Sequence, residues 1–326
     1  MPRWFARCFA VALAAAAAIP SLVAAQAWPA RPVALVVPFA AGGPTDTLGR
    51  ILADRLTRSL GQTVVVENTV GAGGVIANSR VLKSPPDGYT IEIGHIGTHV
   101  LTQAVQGLNV DYPNDFDPIC MVATNPQVIL ARNDFPARTL QELVAYVKAH
   151  PGKVSYASGG VGTPSHIMAV SFGDLVAPLN IVHYKGAAPA MQDVMAGHVD
   201  ISFDQAATGV GFAKSGKLRA YAVTARQRLE SAPDLPTVDE AGMPGFHMTV
   251  WHAMWAPKGT PAPVIAKLNA ACREALADPA VRKRFTELGQ DIPPVEQQSP
   301  EALRAFHKSE VEKWHQVIKA ANIRAN

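Results

Sequence analysis

The stretch Val33-Ala-Leu-Val-Val-Pro-Phe-Ala-Ala-Gly-Gly-Pro-Thr-Asp-Thr-Leu-Gly-Arg50 carries a strand pattern through a glycine turn into a helix pattern. Val33 to Val37 is apolar without alternation, as suits a parallel strand covered on both faces, and Leu48, Ile51, Leu52 and Leu56 recur at helical spacing. Gly42 and Gly43 let the backbone turn tightly and bring its N–H groups near a ligand. Thr45 and Asp46 are helix-capping types, and Pro44 suits a helix start. A helix N-terminus carries unpaired N–H groups and a partial positive charge, so the stretch reads as a pocket for a carboxylate or phosphate. An ordinary βα turn has the same pattern, so the rest of the chain must decide between the two.

Working outward, residues 63–67 give a second strand, and Gly71-Ala-Gly-Gly74 precedes an apolar helix reaching Leu82. Ser84-Pro-Pro-Asp-Gly88 is a turn before a strand over 89–93. Gly94-His-Ile-Gly-Thr-His99 then repeats the geometry of the first loop with different chemistry, and Ser158-Gly-Gly-Val-Gly-Thr-Pro-Ser-His166 repeats it again after a strand over 154–157. Ligands of open α/β sheets bind at the carboxyl ends of strands, so three such loops suit one crevice. Further strands are expected over 181–183, 199–203 and 218–224, with a helix over 187–196; this alternation predicts α/β with a largely parallel sheet. Two apolar runs, 119–123 and 128–131, separated by Thr124-Asn-Pro126, read as a crossing between lobes, and 249–256 as the return. Thr139-Leu-Gln-Glu142 fits a capping box. Three helices over 263–277, 279–288 and 301–321 close the chain. The expected organisation is lobe 1 over 28–124 and 252–326 and lobe 2 over 125–251, hinged about a cleft.

The chain has 326 residues, 48% of them hydrophobic, enough for real cores. Arg3 and Arg7, an apolar run over 9–19, Pro20 and Ala25-Gln-Ala27 read as a signal peptide cleaved before Trp28, which directs the protein to the periplasm. Removing residues 1–27 removes two basic and no acidic residues, so the formal charge falls from +3 to +1. No dense basic tract remains, which argues against a nucleic-acid partner. Cys8 precedes the apolar run, so no lipoprotein site is expected. Cys120 and Cys272 remain, and the sequence leaves a disulfide and two separate thiols both open.

Taken in order, Trp28-Pro-Ala-Arg-Pro32, Val37-Pro-Phe-Ala-Ala-Gly-Gly-Pro-Thr-Asp46, Val64-Val-Val-Glu-Asn68, Gly71-Ala-Gly-Gly74, Pro85-Pro-Asp-Gly-Tyr-Thr90, Gly162-Thr-Pro-Ser-His166, Tyr184-Lys-Gly186, Leu235-Pro-Thr-Val238 and Ala256-Pro-Lys-Gly-Thr-Pro261 carry a signature spread over the mature chain. It resembles the substrate-binding receptors of tripartite tricarboxylate transporters, the Bug-type periplasmic solute-binding proteins. The resemblance implies a two-lobed periplasmic binding protein of type II, a Venus flytrap. It also implies a small di- or tricarboxylate or aromatic carboxylate ligand, and delivery to the membrane subunits of such a transporter, with neither cofactor nor metal and the receptor acting as a monomer. Its ligand loops map onto Phe39, Ala41, Gly42, Gly43, Thr45 and Asp46; onto His95, Thr98 and His99; and onto Ser158, Gly162, Thr163, Ser165 and His166. Asp204 and Gln205 match a position that often faces the cleft; at Trp251, followed here by His252, an aromatic is common, either a cleft aromatic or hydrophobic cover. His95 and His99 depart from the Gly-Thr-Ser-Ser-Thr type of second loop common among relatives.

The residues also bear on a metal site, a nucleotide site and a catalytic site. His95 and His99 are four apart, but Gly97 interrupts a helix and no HExxH or neighbouring Cys completes a metal site, so pocket lining is the better reading. Gly160-Val-Gly-Thr-Pro-Ser165 approaches a dinucleotide fingerprint but lacks its last glycine, and no GxSxG or GxxxxGK[ST] occurs. A carboxylate sensor feeding a signalling partner, or a secreted α/β enzyme, are the alternatives. Three finer expectations follow. Gly43→Val should damage binding more than folding, because its side chain would crowd the anion and forbid a positive φ if the turn uses one; a histidine touching the ligand would make affinity rise as pH falls towards ~6.5; and Glu92 is either a cleft residue or a satisfied group at a sheet edge.

Overall fold

A computed structural model describes residues 28–321, 323 and 324; the leader expected over 1–27 lies outside them. The strands are β1 (Val33–Val37), β2 (Val64–Asn68), β3 (Thr90–His95), β4 (Phe116–Ala131), β5 (Ser155–Ser158), β6 (Asn180–His183), β7 (Ile201–Gln205), β8 (Arg219–Val223) and β9 (Thr249–Pro257). They form one mixed sheet in the order β2-β1-β3-β9-β4-β7-β5-β6, with β8 paired to β4.

The opening stretch folds as its pattern dictates. Leu35 and Val37 of β1 pack beneath Leu48, Leu52 and Leu56 of helix Pro44–Leu60, together with Ile91, Ile93 and Leu268. Val36 points the other way, into a cluster with Ile96, Val100, Trp255 and Leu303. Both faces of β1 are thus covered, and each large aliphatic side chain buried this way contributes about 1.5–3 kcal/mol.

The sheet is not largely parallel. Parallel pairing holds at its two ends, β1 with β2 and β3, and β5 with β6 and β7, while β3–β9, β9–β4, β4–β7 and β4–β8 are antiparallel. The returning strand β9 lies beside β3 and β4, and so reverses the pairing at the centre. The two runs expected on either side of Thr124-Asn-Pro126 are one 16-residue strand. From Phe116 to Pro126 it pairs with β9, and from Gln127 to Ala131 with β7 and β8. Pro126, which has no N–H to donate, sits where β4 changes partners.

The result is a two-lobed fold. One lobe is built on β2-β1-β3 with β9 and the other on β7-β5-β6 with β8; β4 runs through both, and β9 meets it up to the junction, where Thr249 faces Pro126. The helices Ala262–Ala277, Pro279–Glu287 and Pro300–Ala320 fall within a residue of expectation. The first and third pack on β4. Cys120 of β4 and Cys272 of helix Ala262–Ala277 are disulfide-bonded, both fully buried, which decides the question the sequence left open.

Candidate functional site

A cavity of about 480 Å3 of non-atom space, open solvent at its mouth included, lies at the ends of β1, β3 and β7. Four helices begin at it: Pro44–Leu60, Pro164–Leu175, Ala187–Met195 and Ala206–Lys214. Their first residues or caps, Gly43 to Thr45, Thr163 to Ser165, Ala187 and Gln205, are among its walls. None of the four N-caps, Gly43, Thr163, Gly186 and Gln205, satisfies its helix with a side chain, so N–H donors of the first turns stay free. No Lys or Arg lines the cavity. The positive potential therefore comes from helix dipoles, each equivalent to about half a charge.

Phe39, His95, Gln127, Ser202, Phe203 and Asp204 complete the polar and aromatic lining. His95 is stacked on Phe39 with ring centroids 4.9 Å apart. Its Nδ1 accepts the Gly97 N–H at 2.8 Å, which leaves the proton on Nε2. Burial pushes this imidazole down to about 3, so it is a neutral donor throughout the physiological range and gives no transition near pH 6.5. His252 stands edge-on to His95 and its Nε2 lies 3.3 Å from Thr45 Oγ1; burial holds it well below its usual value. The Ser165 hydroxyl accepts the Gly159 N–H at 2.9 Å and lies 3.0 Å from Thr163 Oγ1. The Gln127 Oε1 is buried without a partner.

Of the residues singled out in the sequence, Phe39, Gly43, Thr45, His95, Thr163, Ser165 and Asp204 lie on this cavity. Ala41 and Gly42 line a neighbouring cavity that shares Gly43 and Ala187. The others have different tasks. Asp46 accepts hydrogen bonds from the Gly42 N–H, Asn68 and Arg50. Burial raises its pKa, but these three partners more than offset that and hold the carboxyl below its usual value. Thr98 donates to the His95 carbonyl and contacts His99 Nδ1. His99 is stacked on Trp255 at 3.6 Å, inside the lobe. Ser158 bonds within its own loop, and His166 Nδ1 accepts the Gly162 N–H. Trp251 donates to Glu310 against the last helix. Among the described residues no group of three or more His, Cys, Asp or Glu could hold a metal.

Three finer expectations change. The cap of the first helix is Gly43, not Thr45 or Asp46, and its φ of −82° needs no glycine; the left-handed residue is Gly42, at φ +82°. Glu92 is neither in the cleft nor at an edge. It lies in β3, flanked by Val36 and Trp255, fully buried with neither carboxyl oxygen hydrogen-bonded. The sequence reading also missed Gln127, Ser202, Ala187 and Ala190. Ser202 shares a strand face with Asp204, and strand alternation could have found it. Ala187 and Ala190 offer backbone and surface rather than polar side chains, so only the helix start after Gly186 signals them.

A larger groove, about 1640 Å3 with open solvent counted, runs between helices Ala262–Ala277 and Pro300–Ala320. It is a surface feature whose Arg304 and Asp117 pair with each other; both helices start on it, at Ala262 and Pro300, and the second is capped by the Ser299 side chain.

Residues 48–323 match the family described as tripartite tricarboxylate transporter family receptor, and the chain belongs to that family. Among solved structures it is similar to the periplasmic binding protein BugD, with 42% identity and a TM-score of 0.87 over 92% of this chain and 100% of that one. MatC from Rhodopseudomonas palustris, solved with bound malate, is 39% identical with a TM-score of 0.85, over 89% of this chain and 100% of that one. R. palustris Rpa4515, solved with adipate, is 32% identical with a TM-score of 0.86, over 91% and 99%. The fold is that of a two-lobed periplasmic binding protein, and the family is one of solute receptors rather than enzymes.

Proposed function

We propose that the chain is a periplasmic receptor that closes on a small carboxylate, most suitably a dicarboxylate, and delivers it to the membrane subunits of a tripartite tricarboxylate-type transporter. The observation that carries this reading is the convergence of four uncapped helix N-termini on a cavity without a Lys or Arg. N–H groups and hydroxyls suit carboxylate oxygens, and a site without a fixed cation avoids the desolvation that a buried Lys or Arg would bring. The malate and adipate of the two R. palustris structures point to the same ligand class. Lobe 1 over 28–124 and 252–326 and lobe 2 over 125–251 would then move about β4 and β9, where Thr124 faces Trp251 and Pro126 faces Thr249. The chain acts as a monomer, exported by a leader over 1–27, and uses no cofactor.

Among the described residues no helix is long and apolar enough to cross a membrane; in this reading, delivery goes through docking on partner subunits. Native mass spectrometry of protein purified without denaturation tests the reading. The expected adduct is a small organic acid, lost on exchange against excess malate. A sugar, amine or nucleotide adduct that malate does not displace would reject the ligand class.

A further inference from the structure

Asp204 is the one carboxyl among the cavity walls. It lies one residue before the end of β7 with only 2% of its surface exposed. Thr208 Oγ1, one turn into helix Ala206–Lys214, donates to its Oδ2 at 2.5 Å. The groups facing it offer no cation. β4 brings Gln127 and Val128, helix Ala187–Met195 brings Ala187 and Ala190, and β5 brings the Tyr156 phenol, itself raised by burial and by Asp204. Across the cavity stands the neutral His95, and at the first helix Asp46 is already paired with Arg50. A second anion in this enclosure would meet an ionised Asp204 across a poorly screened gap.

We propose that Asp204 is a specificity-determining proton carrier of the cleft, which takes a proton from solvent as a carboxylate binds and donates a hydrogen bond to it. The inference rests on the carboxylate reading above. The free carboxyl is poised for the role, since burial pushes it up to about 7, with Thr208 and the Gln205 N–H pulling the other way. Like charges close together disfavour joint ionisation, so a bound carboxylate raises it further. The site thereby selects anions able to accept a hydrogen bond at Asp204, and it discriminates against ligands that would need an acceptor there.

Calorimetry with L-malate and adipate, in buffers of different ionisation enthalpy from pH 6 to 8.5, counts the protons taken up. Both ligands are fully ionised at pH 8, so the proton must go to the protein. The expected uptake at pH 8 is about 0.9 proton per ligand, with the dissociation constant rising up to about tenfold per pH unit above 7. Asp204→Asn should abolish both the uptake and the slope. Thr208→Val should move the midpoint to higher pH, because the hydroxyl favours the charged form. Binding of either ligand without proton uptake at pH 8, or uptake that persists in Asp204→Asn, overturns the proposal and leaves the receptor reading standing. Failure of the wild-type protein to bind malate, adipate, succinate or citrate overturns both. If Asp204→Asn does not fold, the wild-type count and the Thr208→Val shift still decide.

Discussion

Glu92 carries an unrelieved polar cost, being fully buried with both oxygens unpartnered. Burial raises its carboxyl from 4.5 to about 8. The folded protein therefore holds a proton that the unfolded chain releases above pH 4.5, and stability is lost as pH rises from 4.5 to 8. Glu92→Gln should flatten that slope and gain on the order of 3 kcal/mol at pH 8, with little change at pH 4; urea titrations at the two pH values measure it, and parallel pH profiles for variant and wild type would reject the assignment. At this scale the sequence was a partial guide. Glycine loops and hydroxyls marked Gly43, Thr45, Thr163 and Ser165 because turn chemistry is local. His99 and Trp251 misled, because what turns them away from the cavity is a stacking partner, Trp255, and a carboxylate, Glu310, distant in sequence.

Helix starts and tight loops are the working parts at the scale of the element. Gly162 has φ +79°, and a Cβ there would lie 2.5 Å from the Thr102 Cα, so the third loop abuts the first lobe only as glycine. Gly152, at φ +70°, faces open space. Both Gly→Ala variants bear left-handed strain of about 1–2 kcal/mol, but only Gly162→Ala should also weaken malate or adipate binding, by about tenfold or more for each 1.4 kcal/mol of clash. Equal affinity in the two variants, read by calorimetry, would show that the loop contact has no part in binding. The Cys120–Cys272 bond ties β4 to helix Ala262–Ala277 across 152 positions, away from the cavity. Reduction should cost about 2–4 kcal/mol in denaturant while leaving ligand affinity unchanged; an unchanged denaturation midpoint under reductant would remove its structural role. The helices themselves were legible from caps and periodicity, as with Thr139 accepting the Glu142 N–H. That β4 is one strand was not, because Pro126 looks like a break when its partner strand β9 is more than a hundred residues away.

For the whole molecule, the proposed hinge lies where β4 passes from one half of the sheet to the other, and closure about it would bury the four helix starts. Small-angle scattering should show a smaller radius of gyration with saturating ligand than without it, and superimposable curves would argue for a preformed, rigid cleft. The two-lobe plan was readable from two crossings and three repeated loops, whereas the antiparallel centre of the sheet depends on pairings such as Glu92 with Trp255 that no local pattern encodes. The central claim is that helix dipoles and neutral donors make this cleft a carboxylate site, and a thermal-shift panel of di- and tricarboxylates, aromatic acids, sugars, amines and nucleotides tests it most directly. A ligand at 100 times its dissociation constant should add about 2.7 kcal/mol to stability, and the account predicts such a shift for small dicarboxylates and none for sugars or amines. Stabilisation by sugars, amines or nucleotides with none by any carboxylate would contradict it.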